Sequence, residues 1–228
     1  MTTWSGAGRR LVLGAALAAG EALLSALLWR RLPERVAVHW DLSGGANGFA
    51  PRLQAVLLGP SMLLGLGILL AVLYRTDPRR RSAPPADAPP REASGTRWMV
   101  EVIVLGLVAS LNALTILAAA GFVRDVGRAL AIFLALMLLL LGNVIGRVRP
   151  SWFVGIRTPW TLSSDAVWRR THRAAARAMF TAGVIALPCA LWLPQHAAQG
   201  VVLGLVLAST LGPAIASWFW WLRESGTP

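Results

Sequence analysis

The sequence predicts an all-α membrane protein: a bundle of about six transmembrane helices, each run near the span length that a bilayer requires. Both termini are expected on the cytoplasmic side, with a small extracytoplasmic cap, a short hairpin, after the first helix. Three observations carry this reading: long apolar runs, a lopsided distribution of arginine, and aromatic residues at the run ends. The 228 residues are 56% apolar, with mean hydropathy +0.59. Crossing about 30 Å of hydrocarbon as a helix takes about 20 apolar residues. Six runs approach or reach that length: 11–29, 53–74, 98–122, 129–146, 174–193 and 201–222.

The net charge of +12 comes from arginine alone, since the chain has no lysine. In a soluble chain this balance would point to nucleic acid. Between membrane spans it follows from the excess of basic residues in cytoplasmic loops, so no direct nucleic-acid partner is expected. With the N-terminus inside, sixteen of the 22 arginines fall in inside segments and six outside. The outside six are Arg30, Arg31, Arg35, Arg52, Arg124 and Arg128. Trp29, Tyr74, Trp98, Trp192, Trp218, Trp220 and Trp221 lie at run ends, where amphipathic rings favour the membrane interface. Arg9-Arg10 ahead of an apolar run resembles an export signal. That run is near full span length and closes on Trp29-Arg30-Arg31, so it reads as a first span. The single cysteine, Cys189, supports neither an intramolecular disulfide nor a thiolate metal cluster.

The connections differ in kind. Residues 75–97 carry Pro84-Pro85 and Pro89-Pro90 among alanines and charges, and read as a disordered cytoplasmic linker. Residues 123–128 read as a tight hairpin and 194–200 as a short outside turn. The chain is accordingly divided into an N-terminal three-helix half, 1–127, and a C-terminal three-helix half, 128–228. Two loops are rich in Trp, Gly and Pro beyond what a tether needs: 30–52 outside and 147–173 inside.

Polar groups inside spans face the bundle interior and need partners. Glu21 lies mid-run in the first span with Ser25 one turn on; Glu101, Asn112 and Thr115 project from one face of the third. Asn143 lies near the end of the fourth. They serve either as interhelical hydrogen-bond glue or as the lining of a polar cavity or proton path, with Glu21 the strongest case for a cavity. Pro188 is expected to kink the fifth span. Gly65, Gly67 and Gly204 are expected to permit close helix approach.

In the outer loop, Val36, Val38 and Trp40 alternate with Ala37, His39 and Asp41, a strand signal. Gly44-Gly45 and Asn47-Gly48 are turn signals. His39, Trp40, Asp41 and Asn47 form the candidate recognition set. His39 and Asp41, two apart on a strand, share a side. They fit a hydrogen-bonded pair that fixes the loop, a surface for an external ligand, or, with His196 as third ligand, a zinc site; the spacing matches no established metal motif.

In the inner loop, Thr158-Pro159 forces an extended step, and Ser163 or Ser164 ahead of Asp165 starts a helix. Trp168 and His172 then lie one turn apart. The candidate partner-binding set is Asn143, Arg147, Trp152, Arg157, Thr158, Pro159, Trp160, Trp168, His172 and Arg173. Arg169, Arg173 and Arg177 form a helical row that also suits anionic lipid.

This loop carries a resemblance. The stretch from Gly142 to Arg173 is similar to the signature of the SdpI family of bacterial membrane proteins. The similarity centres on Trp152-Phe153-Val154-Gly155-Ile156-Arg157-Thr158-Pro159-Trp160-Thr161-Leu162-Ser163-Ser164, with Trp168 and Thr171-His172-Arg173. The segment from Pro33 to Phe49, with Val38-His39-Trp40-Asp41, resembles the domain of unknown function that commonly precedes the SdpI segment. The resemblance implies a non-catalytic protein of the bacterial cytoplasmic (inner) membrane that protects against a secreted antimicrobial peptide or toxin. The founding member also acts as a receptor that holds a cytoplasmic transcriptional repressor at the membrane. The implied partners are therefore the lipid bilayer, an extracellular peptide toxin or envelope ligand, and such a repressor. No cofactor and no catalytic residue is implied. Two rival classes remain. A lipid-acting enzyme would grip a phosphate with Arg147, Arg149, Arg157 and His172, although Asp165 is the only acid in that loop. A transporter would show inverted repeats and broken helices; no internal sequence repeat is evident, and Glu21 and Pro188 give that reading thin support.

Overall fold

The computed structural model describes residues 6–41, 44–76, 92–151 and 154–226. Its helices are α1 (Gly6–Leu28), extended by a 3-10 turn (Trp29–Arg31), α2 (Arg52–Thr76), α3 (Glu92–Ala119), α4 (Val126–Ile145), the short α5 (Pro159–Ser163), α6 (Asp165–Trp192) and α7 (Gln195–Ser225). Strands β1 (Arg35–Trp40) and β2 (Ala46–Pro51) lie between α1 and α2. Among the described residues, six helices are long and apolar enough to cross a membrane, as the hydropathy runs predicted.

The helices pack by small residues and turn large apolar ones outward, the arrangement expected where lipid replaces water. α1 buries Ala7, Arg10, Gly14, Ala18, Glu21 and Ser25 at three- and four-residue spacing. α2 buries Ala55, Val56, Gly59, Leu63, Gly67 and Ala71. Meanwhile Leu23, Leu27, Leu53 and Ile68 are more than half exposed. The two stripes meet where Gly14 faces Gly67: a Cβ on Gly14 would stand 2.9 Å from the Leu63 carbonyl oxygen and 3.1 Å from the Gly67 Cα. Of the glycines expected to serve packing, Gly67 does so, but a Cβ on Gly65 or Gly204 would have nothing within 4 Å. Those two sit on outward faces, which a hydropathy run does not distinguish from inward ones.

Several boundaries differ from the sequence reading. α2 continues through Arg75–Thr76 and α3 already starts at Glu92, so the expected linker 75–97 is helical at both ends. Its centre, 77–91, lies outside the described residues, as does Trp152. Residues 195–200, expected as a turn, form the first turns of α7. Polar Gln195, His196 and Gln199 hide this start from hydropathy, although Pro194 just ahead is a usual helix-start signal. α6 runs on through Pro188, and Pro60 and Pro213 lie inside α2 and α7. α3 closes at Gly121 (φ 84°), with Phe122 N–H on the Leu117 carbonyl at 2.9 Å and Gly121 N–H on that of Ala118 at 3.0 Å. This paired pattern satisfies the last carbonyls of a helix.

The chain divides into two compact units. The first comprises Met1–Thr76, Glu101–Phe133 and Pro194–Gln199. There the hairpin is seated by Leu32 and Val36, packed with Ala55, Val56 and Ile116. Deeper, Ala18, Leu63 and Leu105 form a second cluster. At the far end of the spans Arg10, 3% exposed, forms an ion pair with Glu101, 2% exposed. The Arg10 guanidinium also donates to the Gly6 carbonyl and lies 3.9 Å over the Tyr74 ring. The sequence reading counted Arg10 as a loop charge; it is a buried structural one, and it answers the demand of Glu101 for a partner. The second unit comprises Asp77–Val100, Leu134–Leu193 and Gly200–Pro228. In it α4 and α6 touch backbone to backbone: a Cβ on Gly142 would meet the Phe180 nitrogen at 2.5 Å, and one on Gly183 the Leu139 nitrogen at 2.9 Å.

Candidate functional site

In the second unit the basic loop folds back on α6. Thr158 caps α5, with a capping box: Thr161 N–H donates to Thr158 Oγ1 at 3.3 Å, and Thr158 N–H to Thr161 Oγ1 at 2.9 Å. Pro159 at the first helical position has no N–H to satisfy. The Thr161 hydroxyl donates to the Ile156 carbonyl at 2.9 Å. Ser164, rather than Ser163, caps α6 by accepting from Val167 N–H at 3.2 Å, and its hydroxyl donates to Glu224 at 2.8 Å.

The centre of this fold is Trp168 and His172, both fully buried and stacked with centroids 4.0 Å apart. The Trp168 indole donates to the Val148 carbonyl at 2.9 Å. His172 Nε2 accepts the Ile156 N–H at 3.0 Å, so Nδ1, 2.9 Å from the Trp168 carbonyl, carries the proton and donates. Both ring nitrogens are committed, which fixes a neutral tautomer. Gly155 lies against these rings at φ 117°, with the Trp168 indole 2.9 Å from where a Cβ would be. Trp160 reaches α7, donating to Ser217 Oγ at 2.6 Å and packing edge-on against Trp218.

The predicted inner set therefore separates. Thr158, Trp160, Trp168 and His172 form with Thr161 the hydrogen-bonded fold-back that joins α4 to α6, named the hinge for its position alone; the sequence reading passes over Thr161 because its clue, the Thr158–Thr161 spacing, is a neutral variant of the usual capping pattern. Asn143, Arg147, Arg157 and Arg173 are exposed instead, along with Arg149, Arg169 and Arg177. His172 is not available to grip a phosphate, which removes it from the enzyme constellation. Asn143 faces away from the interior expected of it.

In the first unit, the hairpin covers a cavity of about 350 Å3 lined by α1, β1, α2, α3 and Leu130 of α4. This volume falls within the range of small-ligand sites. Most of the lining is apolar; its polar groups are Glu21, Ser25, His39, Asn112 and Thr115, with the Trp40 indole. Glu21 is 5% exposed and Ser25 4%. Among the described residues the Glu21 carboxylate has neither hydrogen bond nor ion pair, and Ser25 Oγ has no hydrogen-bond partner. Asn112 uses one amide hydrogen on the Val108 carbonyl at 3.0 Å, and Thr115 donates to that of Leu111 at 3.0 Å. Gly59 forms the floor: a Cβ there would stand 3.1 Å from Asn112 Cγ and 3.2 Å from Glu21 Oε2. So Glu21, Asn112 and Thr115 do share one cavity, whereas Glu101 of the same predicted face belongs to the Arg10 pair.

The cap is the predicted hairpin, but the predicted alternation is not kept at its end, since Val38, His39 and Trp40 all line the cavity. β1 and β2 are antiparallel, with Val36 opposite Ala50 and His39 opposite Gly48, and register shifts between Ala37 and His39 and between His39 and Trp40. His39 and Trp40 line the cavity, and His39 Nδ1 pairs with Asn47 Oδ1 at 2.5 Å. Asp41 departs from the expectation. It lies past β1 and closes the turn, its Oδ1 accepting from Gly45 N–H at 3.0 Å and its carbonyl from Gly44 N–H at 3.0 Å. It does not share a strand face with His39. Among the described residues no three His, Cys, Asp or Glu side chains gather as a metal site, so His39, Asp41 and His196 do not form one.

Six helices long and apolar enough to span a membrane, a strand-capped cavity and a folded basic loop describe a polytopic membrane protein. Residues 147–217 match the SdpI/YfhL protein family, and residues 16–64 match the domain of unknown function DUF1648. The chain is 20% identical to the immunity protein SdpI of Bacillus subtilis (strain 168) over 205 residues, covering 90% of this chain and 92% of that protein. No solved structure matches it. It is a multi-pass bacterial membrane protein related to an immunity-protein family.

Proposed function

We propose that this chain is an immunity protein and receptor of the cytoplasmic membrane, protecting its cell against a secreted antimicrobial peptide or toxin. The N- and C-termini are cytoplasmic, the β1–β2 cap and its cavity face outward, and the exposed arginines around the hinge face inward. The observation that carries the reading is the capped cavity, with a buried carboxylate lacking a partner among the described residues, in a chain similar nearly end to end to an immunity protein. The cap engages the peptide or an envelope ligand. The basic inner face, led by Arg147, Arg157 and Arg173, recruits a cytoplasmic repressor. The role requires no catalysis.

The test is deletion of the gene followed by challenge with secreted material from kin and competitor strains. Killing of the deletion strain, rescued by the wild-type chain and not by Glu21→Gln at matched protein level, supports the reading. Full survival of the deletion strain across the panel overturns it. Transport is a second reading, favoured by the same intramembrane carboxylate; substrate or proton flux lost in Glu21→Gln, without any change in survival, would select it.

A further inference from the structure

The polar groups in the cavity are unbalanced. Glu21 supplies a carboxylate, Ser25 a hydroxyl without a partner among the described residues, and Asn112 a carbonyl oxygen whose amide already donates to Val108. Glu21 and Asn112 converge above Gly59, and Ser25 stands one helical turn from Glu21. Among the described residues no arginine lines the space, and its histidine, His39, is held by Asn47. The site therefore gathers acceptors and one negative charge inside an apolar wall. A buried carboxylate without a counter-charge is costly, and a cation entering the cavity relieves that cost.

We infer that the cavity is a binding site for a primary ammonium group carried on an apolar stem, with Glu21 as its counter-ion. An ammonium has three N–H donors and no acceptor, which suits the Glu21 carboxylate, the Asn112 amide oxygen and the Ser25 hydroxyl on the cavity wall. The apolar lining takes the stem, and the Trp40 indole on the wall adds the attraction of an aromatic ring for a cation. Glu21 lies two turns, about 10 Å of helix rise, before the Leu28 end of α1, so a ligand entering past the cap reaches it head-first. The shared chemistry has two sources: the headgroup of an aminophospholipid, or a free amphipathic amine such as the end of a peptide.

The test uses the full chain in phosphatidylcholine nanodiscs. Dicyclohexylcarbodiimide labels apolar-sited carboxyls that lack a counter-ion, and the adduct is located by mass spectrometry. Glu21 is expected to label and Glu101, paired with Arg10, to resist. n-Octylammonium should slow labelling of Glu21 at least tenfold, while n-octanol and octanoate should not. In equilibrium dialysis against empty discs, radiolabelled n-octylammonium should bind wild type at least tenfold more tightly than Glu21→Gln. Phosphatidylethanolamine in the discs distinguishes the sources. Protection without added amine assigns the lipid headgroup, and protection by n-octylammonium alone assigns a free amine; either supports the site. Failure of Glu21 to label, or equal protection by n-octanol and n-octylammonium, overturns it, even if the Glu21→Gln chain does not fold.

Discussion

Removing one member of the Arg10–Glu101 pair should destabilise the protein more than removing both. The two groups are 4% and 2% exposed as side chains, so solvent screening gives little relief. At ion-pair range and an effective dielectric constant near 20, their attraction is about 4 kcal/mol. Glu101→Gln keeps the shape of the side chain but leaves Arg10 without its counter-charge, at an expected cost of about 3–5 kcal/mol. Arg10→Met strands Glu101 in the same way and also loses the stacking on Tyr74, about 1–2 kcal/mol more. The double variant Arg10→Met, Glu101→Leu buries apolar groups in both places and should recover much of the loss, since such replacements are often neutral. The assay is reversible unfolding in bicelles by added dodecyl sulfate, run as a double-mutant cycle. A coupling of about 2 kcal/mol or more is expected; one below about 0.5 kcal/mol, with additive singles, would refute the claim that the pair fastens the end of this unit. Fifteen inside arginines would remain against six outside after Arg10→Met, so orientation should hold.

Other outcomes follow from the hinge and the topology. Gly155→Ala, forced to φ 117° against the Trp168 indole, should lose at least about 1–3 kcal/mol, measured by the same unfolding assay; wild-type stability would mean that the loop does not pack as described. His172→Ala leaves the Ile156 N–H and the Trp168 carbonyl without their partner and should cost on the order of 2–3 kcal/mol, with a matching rise in proteolysis of the basic loop. In a Cys189→Ser background, cysteines at Arg124 and His196 should react with a membrane-impermeant maleimide in intact cells and one at Ser225 should not; the reverse pattern would invert the topology. Arg157→Lys, which preserves charge but not planar bidentate contact, should reduce survival under toxin challenge or repressor recruitment, while Arg169→Lys should be nearly silent; equal behaviour would reduce Arg157 to a topological charge.

The spans were legible because crossing hydrocarbon imposes a length and a composition that the sequence displays directly. The hairpin was legible from Val36, Val38 and Trp40, although two register shifts flanking His39 break their alternation in β1. Helix starts were less so: α7 begins at Gln195 and α3 at Glu92, on polar residues that are helical without being apolar. The pairing of Arg10 with Glu101 depends on which spans are neighbours, which no local pattern encodes. A clue existed, in that both lie near the start of odd-numbered spans and so at similar depth. Asp41 was misplaced because it closes the turn onto Gly44, at φ 82°, and Gly45 instead of extending β1. The Trp168–His172 contact was visible as a one-turn spacing. Its consequence was not, because the group that occupies His172 Nε2 is Ile156, sixteen residues away on the returning loop.

The polar groups of the two units differ in what remains unmatched, and that difference assigns their roles. In the hinge, the Thr158 and Thr161 hydroxyls, both His172 nitrogens and the Trp160 and Trp168 indoles all have partners within the chain. Such a network fixes a shape; it has little left to offer a ligand, and the recognisable sequence signature there is chiefly a folding instruction that holds the exposed arginines in place. Beneath the hairpin the balance is reversed. Glu21 and Ser25 are nearly as buried as the hinge residues, yet their oxygens have no partner among the described residues. Unmatched buried polar groups call for an explanation in a native fold, and a carboxyl inside a span is a functional site by default. The first unit is therefore where an incoming molecule would gain most from binding. Variants of Glu21 should then alter ligand binding without altering the hinge, and variants of His172 should alter the exposure of the basic loop without altering ligand binding.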